Sequence, residues 1–330
     1  MTDTNLLLAI TMIVFFAMYI GAMIFEGKGF LKAQTFLNML NANAALIIAS
    51  CGMSIVMITG SIDISVGGVA ALVSMCCAVY LDYHGGNVVT AIFISLGIGL
   101  LFGLVQGYLV AYLDIQPFIV SLAGMFFARG MTTIVNTEPF NVQNEAFVKL
   151  KETRVIVPGL GSVNKLGKYV NAYVEIGVVV ALILVIVLFC MLRWSKSGRN
   201  FYAVGGNQQS ALMLGINVKK TKFMAHLLCS LLAGIGGFVY FMHVGSGSAS
   251  HATGMEMNAI ASSIIGGTML TGGVGNIIGT LFGVLSLSTI QNIVSSAGLD
   301  QAWWTGITIA AMLCLFLVIQ SVVMSRKKKA

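Results

Sequence analysis

The sequence predicts an all-α protein that crosses a membrane many times. Two observations support this prediction: the mean hydropathy of the 330-residue chain is +0.94, and 58% of its residues are hydrophobic whereas only 9% are charged. A water-soluble domain of this size exposes far more charge. The apolar residues also fall into runs of roughly 17–25, the length at which a helix spans the hydrocarbon core and satisfies its own backbone.

These runs predict about ten transmembrane helices. In chain order they cover residues 6–25, 43–60, 66–82, 88–112, 117–136, 173–192, 223–242, 255–270, 276–296 and 304–324. The third and the eighth are short and bounded by glycine, so broken or re-entrant helices are alternatives for both. The first has no basic segment before it and no small-residue cleavage site after it, which predicts that it stays in the mature protein.

The basic residues predict the orientation of these helices. Short cytoplasmic loops are enriched in Lys and Arg, and with the amino terminus inside, ten of the eighteen basic residues fall on the cytoplasmic side. They are Arg193, Lys196, Arg199, Lys219, Lys220, Lys222, Arg326, Lys327, Lys328 and Lys329. The long 137–172 loop then faces the periplasm, and both termini are cytoplasmic. This bias explains the net charge of +7. A nucleic-acid partner would require a face with basic and aromatic residues interleaved, and the sequence shows none.

Glycine is the second strong feature, with 38 residues against 3 prolines. Small residues at four-residue spacing allow helices to approach closely. Two such stripes are Gly99, Gly103 and Gly107, and Gly275, Gly279 and Gly283.

A weak internal duplication is predicted from short matching strings. GLLFG at 99–103 resembles GTLFG at 279–283, and the Gly-rich turn GSIDISVGG at 60–68 resembles GGTMLTGGVG at 266–275. A glycine-interrupted hydrophobic segment that recurs in two halves points to a transport pathway. Neither turn has the G-x-x-x-x-G-K-[ST] pattern, so this chain is not expected to hydrolyse ATP.

No metal or cofactor site is predicted. The six cysteines lie inside predicted helices without C-x-x-C spacing and are interpreted as small packing residues. The four histidines show no metal-ligand spacing, and His226, on an apolar helix face, is predicted to be a satisfied interior group.

Polar residues within the predicted spans are candidates for a transport site, because such groups are costly in lipid. Arg129 has two interpretations: it extends to the membrane interface, or it contacts solute. Asp63 also has two: it caps the following helix, or it forms part of an inner gate. Amides suited to sugar hydroxyls or to neighbouring helices are Asn41, Asn43, Gln106, Gln116 and Gln291.

Four strings carry a family resemblance: ITGSIDISVGG (58–68), PFIVSLAGMFFARG (117–130), FYAVGGNQQSALMLGI (201–216) and MEMNAIASSIIGGTMLTGGVG (255–275). They are similar to the permease subunits of bacterial ABC sugar importers of the ribose/arabinose/xylose type, in the same order and over nearly the whole chain. Residues 1–330 are therefore expected to form one permease domain. LAGMFFARG (122–130) and WWTGITIA (303–310) are most similar to galactofuranose-transporter permeases, which work beside a second, related permease.

The resemblance implies partners and a mechanism. The chain would be an inner-membrane subunit without enzymatic activity or cofactor, acting with an ABC ATPase subunit and a periplasmic sugar-binding protein. It would pair with a related permease or with itself and move galactofuranose or a similar pentose or hexose by alternating access.

The 193–222 segment would be the cytoplasmic coupling loop that docks on the ATPase. Its 198–220 part is basic and contains no acidic residue. A short helix at about 207–214, flanked by glycine pivots, could move as a unit. The resemblance assigns coupling to Gly198, Arg199, Tyr202, Ala203, Gly205, Gly206, Asn207, Gly215 and Ile216.

The motifs and polar residues together give the candidates for the pathway or gate: Asn41, Asn43, Asp63, Ser65, Gln116, Phe118, Arg129, Glu256 and Asn258. The family commonly has E-L-D-A where this chain has E-M-N-A, so Glu256 is retained and Asn258 replaces an acid.

Two other function classes are weighed against this interpretation. An ion-coupled secondary transporter, the alternative, is expected to carry intramembrane Asp, Glu or His, and the centres of the predicted helices are nearly free of them. An intramembrane enzyme would require paired Asp residues, a Ser-His pair or an HExxH motif, none of which is recognised.

Overall fold

The computed structural model describes residues 3–26, 30–163, 169–299 and 301–328. Within these residues the helices are α1 Asp3–Glu26, α2 Ala33–Ile58, α3 Val66–Asp82, α4 Val88–Tyr112, α5 Pro117–Val135, α6 Glu145–Glu152, α7 Ile176–Trp194, α8 Lys196–Gly206, α9 Gln208–Met213, α10 Val218–Val244, α11 Met255–Ile265, α12 Ile277–Ser296 and α13 Ala302–Lys328. The strands are β1 Phe140–Asn141, β2 Arg154–Val163, β3 Tyr169–Glu175 and β4 Ser246–Gly247. Lys329, counted among the cytoplasmic basic residues, lies outside the described part.

Eight of the described helices are long and apolar enough to cross a membrane, and α3 is a shorter apolar helix. This confirms the prediction of a polytopic, all-α protein. The prediction of a spanning helix over 255–270 is wrong, because α11 has only 11 residues. At 1.5 Å per residue it is far shorter than the roughly 30 Å of the hydrocarbon core.

α2 begins at Ala33, ten residues before the predicted start at residue 43. Two amides near the predicted start, Asn41 and Asn43, lie within this buried helix, and both are hydrogen-bonded. Asn43 donates to the Ser288 hydroxyl at 3.0 Å, and Asn41 accepts from the Glu175 amide at 2.9 Å. Buried amides are tolerated when they are hydrogen-bonded.

The 137–172 loop contains regular structure that was not predicted. β2 and β3 form an antiparallel hairpin, and β1 pairs with β4, which follows α10. Gln34 of α2 holds the hairpin by accepting from the Tyr173 amide at 2.9 Å and donating to its carbonyl at 3.3 Å.

α10 is the central helix and packs against α2, α3 and α4. The glycine stripe of α4 faces it: a Cβ at Gly103 would lie 2.9 Å from Leu227 Cα, and one at Gly99 would lie 2.7 Å from the Ser230 carbonyl oxygen. Gly279 of α12 is similarly pressed against Gly266. The stripes therefore mediate close packing between helices of one chain, as small residues do in membranes.

The helix contacts show an internal duplication that pairs α4 with α12, the two helices that carry the strings GLLFG and GTLFG. α4 packs on α10 as α12 packs on α2; α3 packs on α10 as α11 packs on α2; and α3 contacts α5 as α11 contacts α13. The pattern relates α2–α5 to α10–α13. The 60–68 turn joins α2 to α3, whereas the 266–275 turn joins α11 to α12, so these turns are not equivalent in the two halves.

Candidate functional site

α3 begins in the interior of the helical bundle. After α2 ends at Ile58, the chain has no regular structure until Val66. Asp63, in this interval, places Oδ2 3.5 Å from the hydroxyl of Ser230, which is the thirteenth of the 27 residues of α10. The first turn of α3 therefore lies level with the middle of the central helix.

α11 begins in the same layer. Gly254, with φ +79°, precedes its first residue, and Ala252 has φ 52°, a left-handed conformation that non-glycine residues rarely adopt. Arg129 of α5 holds this segment by donating to the His251 carbonyl at 2.5 Å and to the Ala252 carbonyl at 2.8 Å. A guanidinium can bind two carbonyls at once because its donors form a planar fork.

The first turns of α3 and α11 meet at Gly67 and Glu256. A Cβ at Gly67 would overlap the Glu256 carboxylate. Glu256 is only 8% exposed, and its Oε2 lies 4.0 Å from an Arg129 nitrogen yet has no hydrogen-bond partner among the described residues. The positive ends of two helices and one guanidinium thus surround a buried carboxylate.

A buried polar cluster lies beside this contact and consists of Asp63, Ser65, Gln106, His226 and Ser230, each at most 2% exposed. Asp63 accepts from the Ser65 amide at 3.0 Å and from its hydroxyl at 2.6 Å, so its carboxylate binds the start of α3. Gln106 donates to the Ser65 hydroxyl at 2.9 Å, while its oxygen has no partner in the described structure.

One expectation about ionisable groups is wrong. His226 is not satisfied, because neither ring nitrogen has a hydrogen-bond partner among the described residues. Asp63, His226 and Glu256 are all buried in the interior, and the two carboxylates lie at the starts of α3 and α11 and not at helix centres.

The other pathway candidates lie apart from this cluster. Asn41 and Asn43 bond to the start of α7 and to α12, as described above. Gln116 and Phe118, at the start of α5, are exposed, and Phe118 has 50% of its surface accessible. Asn258 lies half-buried one turn into α11.

Three glycine-rich segments meet at one face of the protein, in what we call the glycine junction: Gly60, Gly205, Gly272 and Gly273. The Gly273 amide donates to the Ile58 carbonyl at 2.8 Å, joining the turn after α2 to the turn after α11. Gly205, near the end of α8, lies against both: a Cβ there would overlap the Ile58 carbonyl oxygen and approach the Gly273 nitrogen. Gly60, Gly272 and Gly273 have φ between +73° and +85°, which glycine adopts without strain.

Tyr202 adds a second connection between α8 and this region. Its hydroxyl donates to the Gly275 carbonyl at 2.9 Å. Burial raises the pKa of Tyr202 to about 12, because the phenolate would lose its hydration. The hydroxyl therefore remains a donor at neutral pH.

The 193–222 segment is more helical than predicted, because α8 occupies much of it. Asn207 caps α9 by accepting from the Ser210 amide at 2.8 Å. Gly215, with φ +76°, follows α9 in a conformation that glycine adopts without strain. Gly206 differs from it: its φ lies outside the left-handed region, and nothing lies within 4 Å of a Cβ placed there.

Of the remaining coupling candidates, some pack against neighbouring residues and others are exposed. Gly198 has no room for a side chain beside Leu192, and Ile216 packs on a small apolar cluster with Ala203. Arg199 is exposed and donates to the Trp194 carbonyl at 3.1 Å.

The chain matches a protein family over residues 35–317, and the family is described as the branched-chain amino acid transport system / permease component. The chain belongs to this permease family. It is 35% identical to the inner membrane ABC transporter permease protein YjfF of Escherichia coli K12, over 97% of this chain and 93% of that protein.

Two further relatives have transport substrates in their names. The permease is 34% identical to the fructose import permease protein FruG of Bifidobacterium longum, over 86% of this chain and 81% of the relative. It is 32% identical to the ribose import permease protein RbsC of Escherichia coli K12, over 82% of this chain and 81% of that protein. No solved structure matches the permease significantly.

Proposed function

We propose that the permease is the transmembrane subunit of an ATP-driven importer of a monosaccharide, in which the 193–222 segment receives the force of ATP hydrolysis. The observation that carries this proposal is the contact of Gly205 with both glycine-rich turns. Any displacement of α8 acts directly on the segments that precede α3 and α12.

The exposed end of this segment supports docking of another protein. Met213 and Leu214 are 81% and 78% exposed, and Leu212 beside them is 52% exposed. They lie between Lys196 and Lys219, outside the membrane-spanning helices. An apolar tip on a basic, non-membrane segment fits insertion into a cleft of an ABC ATPase subunit.

The contact between the first turns of α3 and α11 supports a transport pathway at that place in the bundle. Interrupted helices whose amino termini meet inside the membrane are typical substrate sites of transporters. Arg129 and Glu256 supply a donor and an acceptor suited to sugar hydroxyls, with Asp63 and Ser65 in the adjacent cluster and Asn258 one turn into α11. Phe118 and Gln116 would line the approach along the exposed face of α5.

The names of the relatives support a sugar as the substrate, because FruG imports fructose and RbsC imports ribose. We propose galactofuranose or a similar pentose or hexose on the basis of the motifs shared with galactofuranose-transporter permeases. A periplasmic sugar-binding protein would deliver the sugar to the 137–172 loop. A related permease, forming a heterodimer, or a second copy of this chain would complete the pathway.

Both termini are proposed to be cytoplasmic, on the face that carries α8 and α9. Thr11 of α1 donates to the Ile265 carbonyl at 2.9 Å, and Gln320 of α13 donates to the Ile264 carbonyl at 2.7 Å. The amino-terminal half of α1 and the carboxy-terminal half of α13 thus lie near the turn that contacts Gly205. The basic residues of this face fit the inner side of a bacterial inner membrane.

We expect proteoliposomes containing the permease with its ATPase and second permease to take up a labelled sugar only when ATP and the loaded binding protein are present. Galactofuranose, fructose, ribose and xylose form the test panel. The measurements are sugar uptake and the ATPase rate with and without sugar. Uptake driven by a proton or sodium gradient without ATP would contradict the proposal and favour an ion-coupled transporter.

The orientation predicts which introduced cysteines react with a membrane-impermeant thiol reagent. Gln209→Cys on α9 should label in inside-out vesicles only, and Lys149→Cys on α6 in intact spheroplasts. Both positions are exposed, and neither side chain caps a helix, so replacing them leaves the caps at Asn207 and Asn144 intact. Cys314, the exposed native cysteine, is replaced by serine beforehand. The reverse labelling pattern would contradict the orientation and the coupling assignment together.

A further inference from the structure

A crevice of about 390 Å³ opens beside α7 and α8. Its polar wall includes Arg193, Arg199, Tyr202 and Asn276, and its apolar wall includes Phe189 and Leu192. It therefore offers charge and hydrogen-bond donors at one end and hydrocarbon surface at the other.

The two arginines of the crevice have no acidic partner among the described residues. Neither forms a salt bridge there, and no Asp or Glu is among the described lining residues. Arg199 is held by its bond to the Trp194 carbonyl, and the Arg193 guanidinium lies 5.9 Å from the centre of the Phe189 ring. Guanidiniums without a counter-charge can bind a phosphate group, because their donors form a planar fork.

The apolar wall continues into the membrane along α7. Ile183, Ile186 and Val187 are more than half exposed on this spanning helix. Trp194, at its end, is 65% exposed and stands where interfacial tryptophans anchor a helix at the level of lipid headgroups. The charged end of the crevice thus lies at headgroup level, next to a surface suited to acyl chains.

We propose that this crevice binds an anionic phospholipid, with its phosphate between Arg193 and Arg199 and an acyl chain along the exposed face of α7. The assignment to the inner leaflet rests on the proposed orientation, whereas the binding itself does not.

A phospholipid fits this crevice better than a segment of a soluble partner subunit. Phe189 and Leu192 belong to the membrane-spanning part of α7, which a cytoplasmic protein does not reach. A lipid meets both walls at once, because its headgroup and chain are separated in the same way as the arginines and the apolar surface.

The proposed lipid would also contact the coupling machinery. Tyr202 and Arg199 belong to α8, the helix that places Gly205 in the glycine junction. Asn276 caps α12 by accepting from the Ile278 amide at 2.9 Å. A lipid bound between these elements would hold α8 against α12 and bias its movement during transport.

Lipid binding is tested by native mass spectrometry of the full-length permease in neutral detergent, with equimolar phosphatidylglycerol and phosphatidylcholine. We expect the wild type to retain phosphatidylglycerol preferentially. The R193Q/R199Q double variant should weaken this preference about ten- to thirtyfold, as expected for the loss of two cations at an anionic surface. The matched K196Q/K219Q variant, which removes the same charge outside the crevice, should retain it.

Three results would overturn the proposal: no preference in the wild type, an equal loss in both double variants, or displacement of the lipid by millimolar glycerol phosphate. The last would identify a general anion site instead of a lipid site. Because the permease is measured without its partners, failure here is separate from failure of the transport proposal.

Discussion

Replacing Gly205 with alanine should uncouple ATP hydrolysis from transport, because the added methyl group would overlap the Ile58 carbonyl oxygen. That carbonyl is fixed by its bond from the Gly273 amide, so the backbone of α8 must move away from both turns. Overpacking of this kind typically costs about 1–3 kcal/mol. We expect sugar uptake per ATP hydrolysed to fall by at least about tenfold, the rate equivalent of 1.4 kcal/mol.

Gly206→Ala is the matched control because nothing lies within 4 Å of its added Cβ and its φ lies outside the left-handed region. This variant should transport normally. Membrane abundance and the apparent Tm of both variants are measured in parallel, so that a folding defect is distinguished from uncoupling. Normal transport by Gly205→Ala at normal abundance would show that α8 does not transmit force through the glycine junction.

Arg129→Ala should be the most damaging substitution in the membrane interior. It removes two charged hydrogen bonds from the segment before α11 and leaves the buried Glu256 carboxylate without its nearby cation. Loss of one partner from such an arrangement costs on the order of 3 kcal/mol. The apparent Tm should fall by several degrees, and transport should be lost.

A double-mutant cycle tests the role of Glu256 in this effect. Glu256→Gln should be stabilising in the Arg129→Ala background, because it neutralises an uncompensated charge, but not in the wild type. Arg154→Ala, which removes an exposed arginine from the hairpin, is the control and should change the Tm little. If Glu256→Gln shifts the Tm equally in both backgrounds, the two residues are not coupled.

The hydrophobic helices could be predicted from the sequence because lipid imposes a simple rule on length and composition. α4 was predicted over 88–112 and is found at Val88–Tyr112, since a helix in lipid satisfies its backbone whatever its neighbours are. The start of α2 was less predictable, because it depends on polar residues such as Asn41. The partner of Asn41, Glu175, lies more than a hundred residues away in the sequence.

The interruptions before α3 and α11 depend on tertiary structure in the same way. The segment around Ala252 can leave the helical conformation inside the bundle only because Arg129, 123 residues earlier, satisfies its carbonyl. No local pattern carries that information. The strings GLLFG and GTLFG lie in the equivalent helices α4 and α12, whereas the two Gly-rich turns lie at places that are not equivalent.

The short pairing of β1 with β4 has a mechanical consequence. Phe140 is in register with Gly247, and the Val142 amide donates to the Gly245 carbonyl at 3.1 Å. The strand that follows α10 is thereby bonded to the 137–172 loop, nine residues before Glu256. The segment that precedes α11 therefore cannot move without also moving the 137–172 loop. The segments around α11 are thus restrained by the β1–β4 pairing before the helix and by the glycine junction after it.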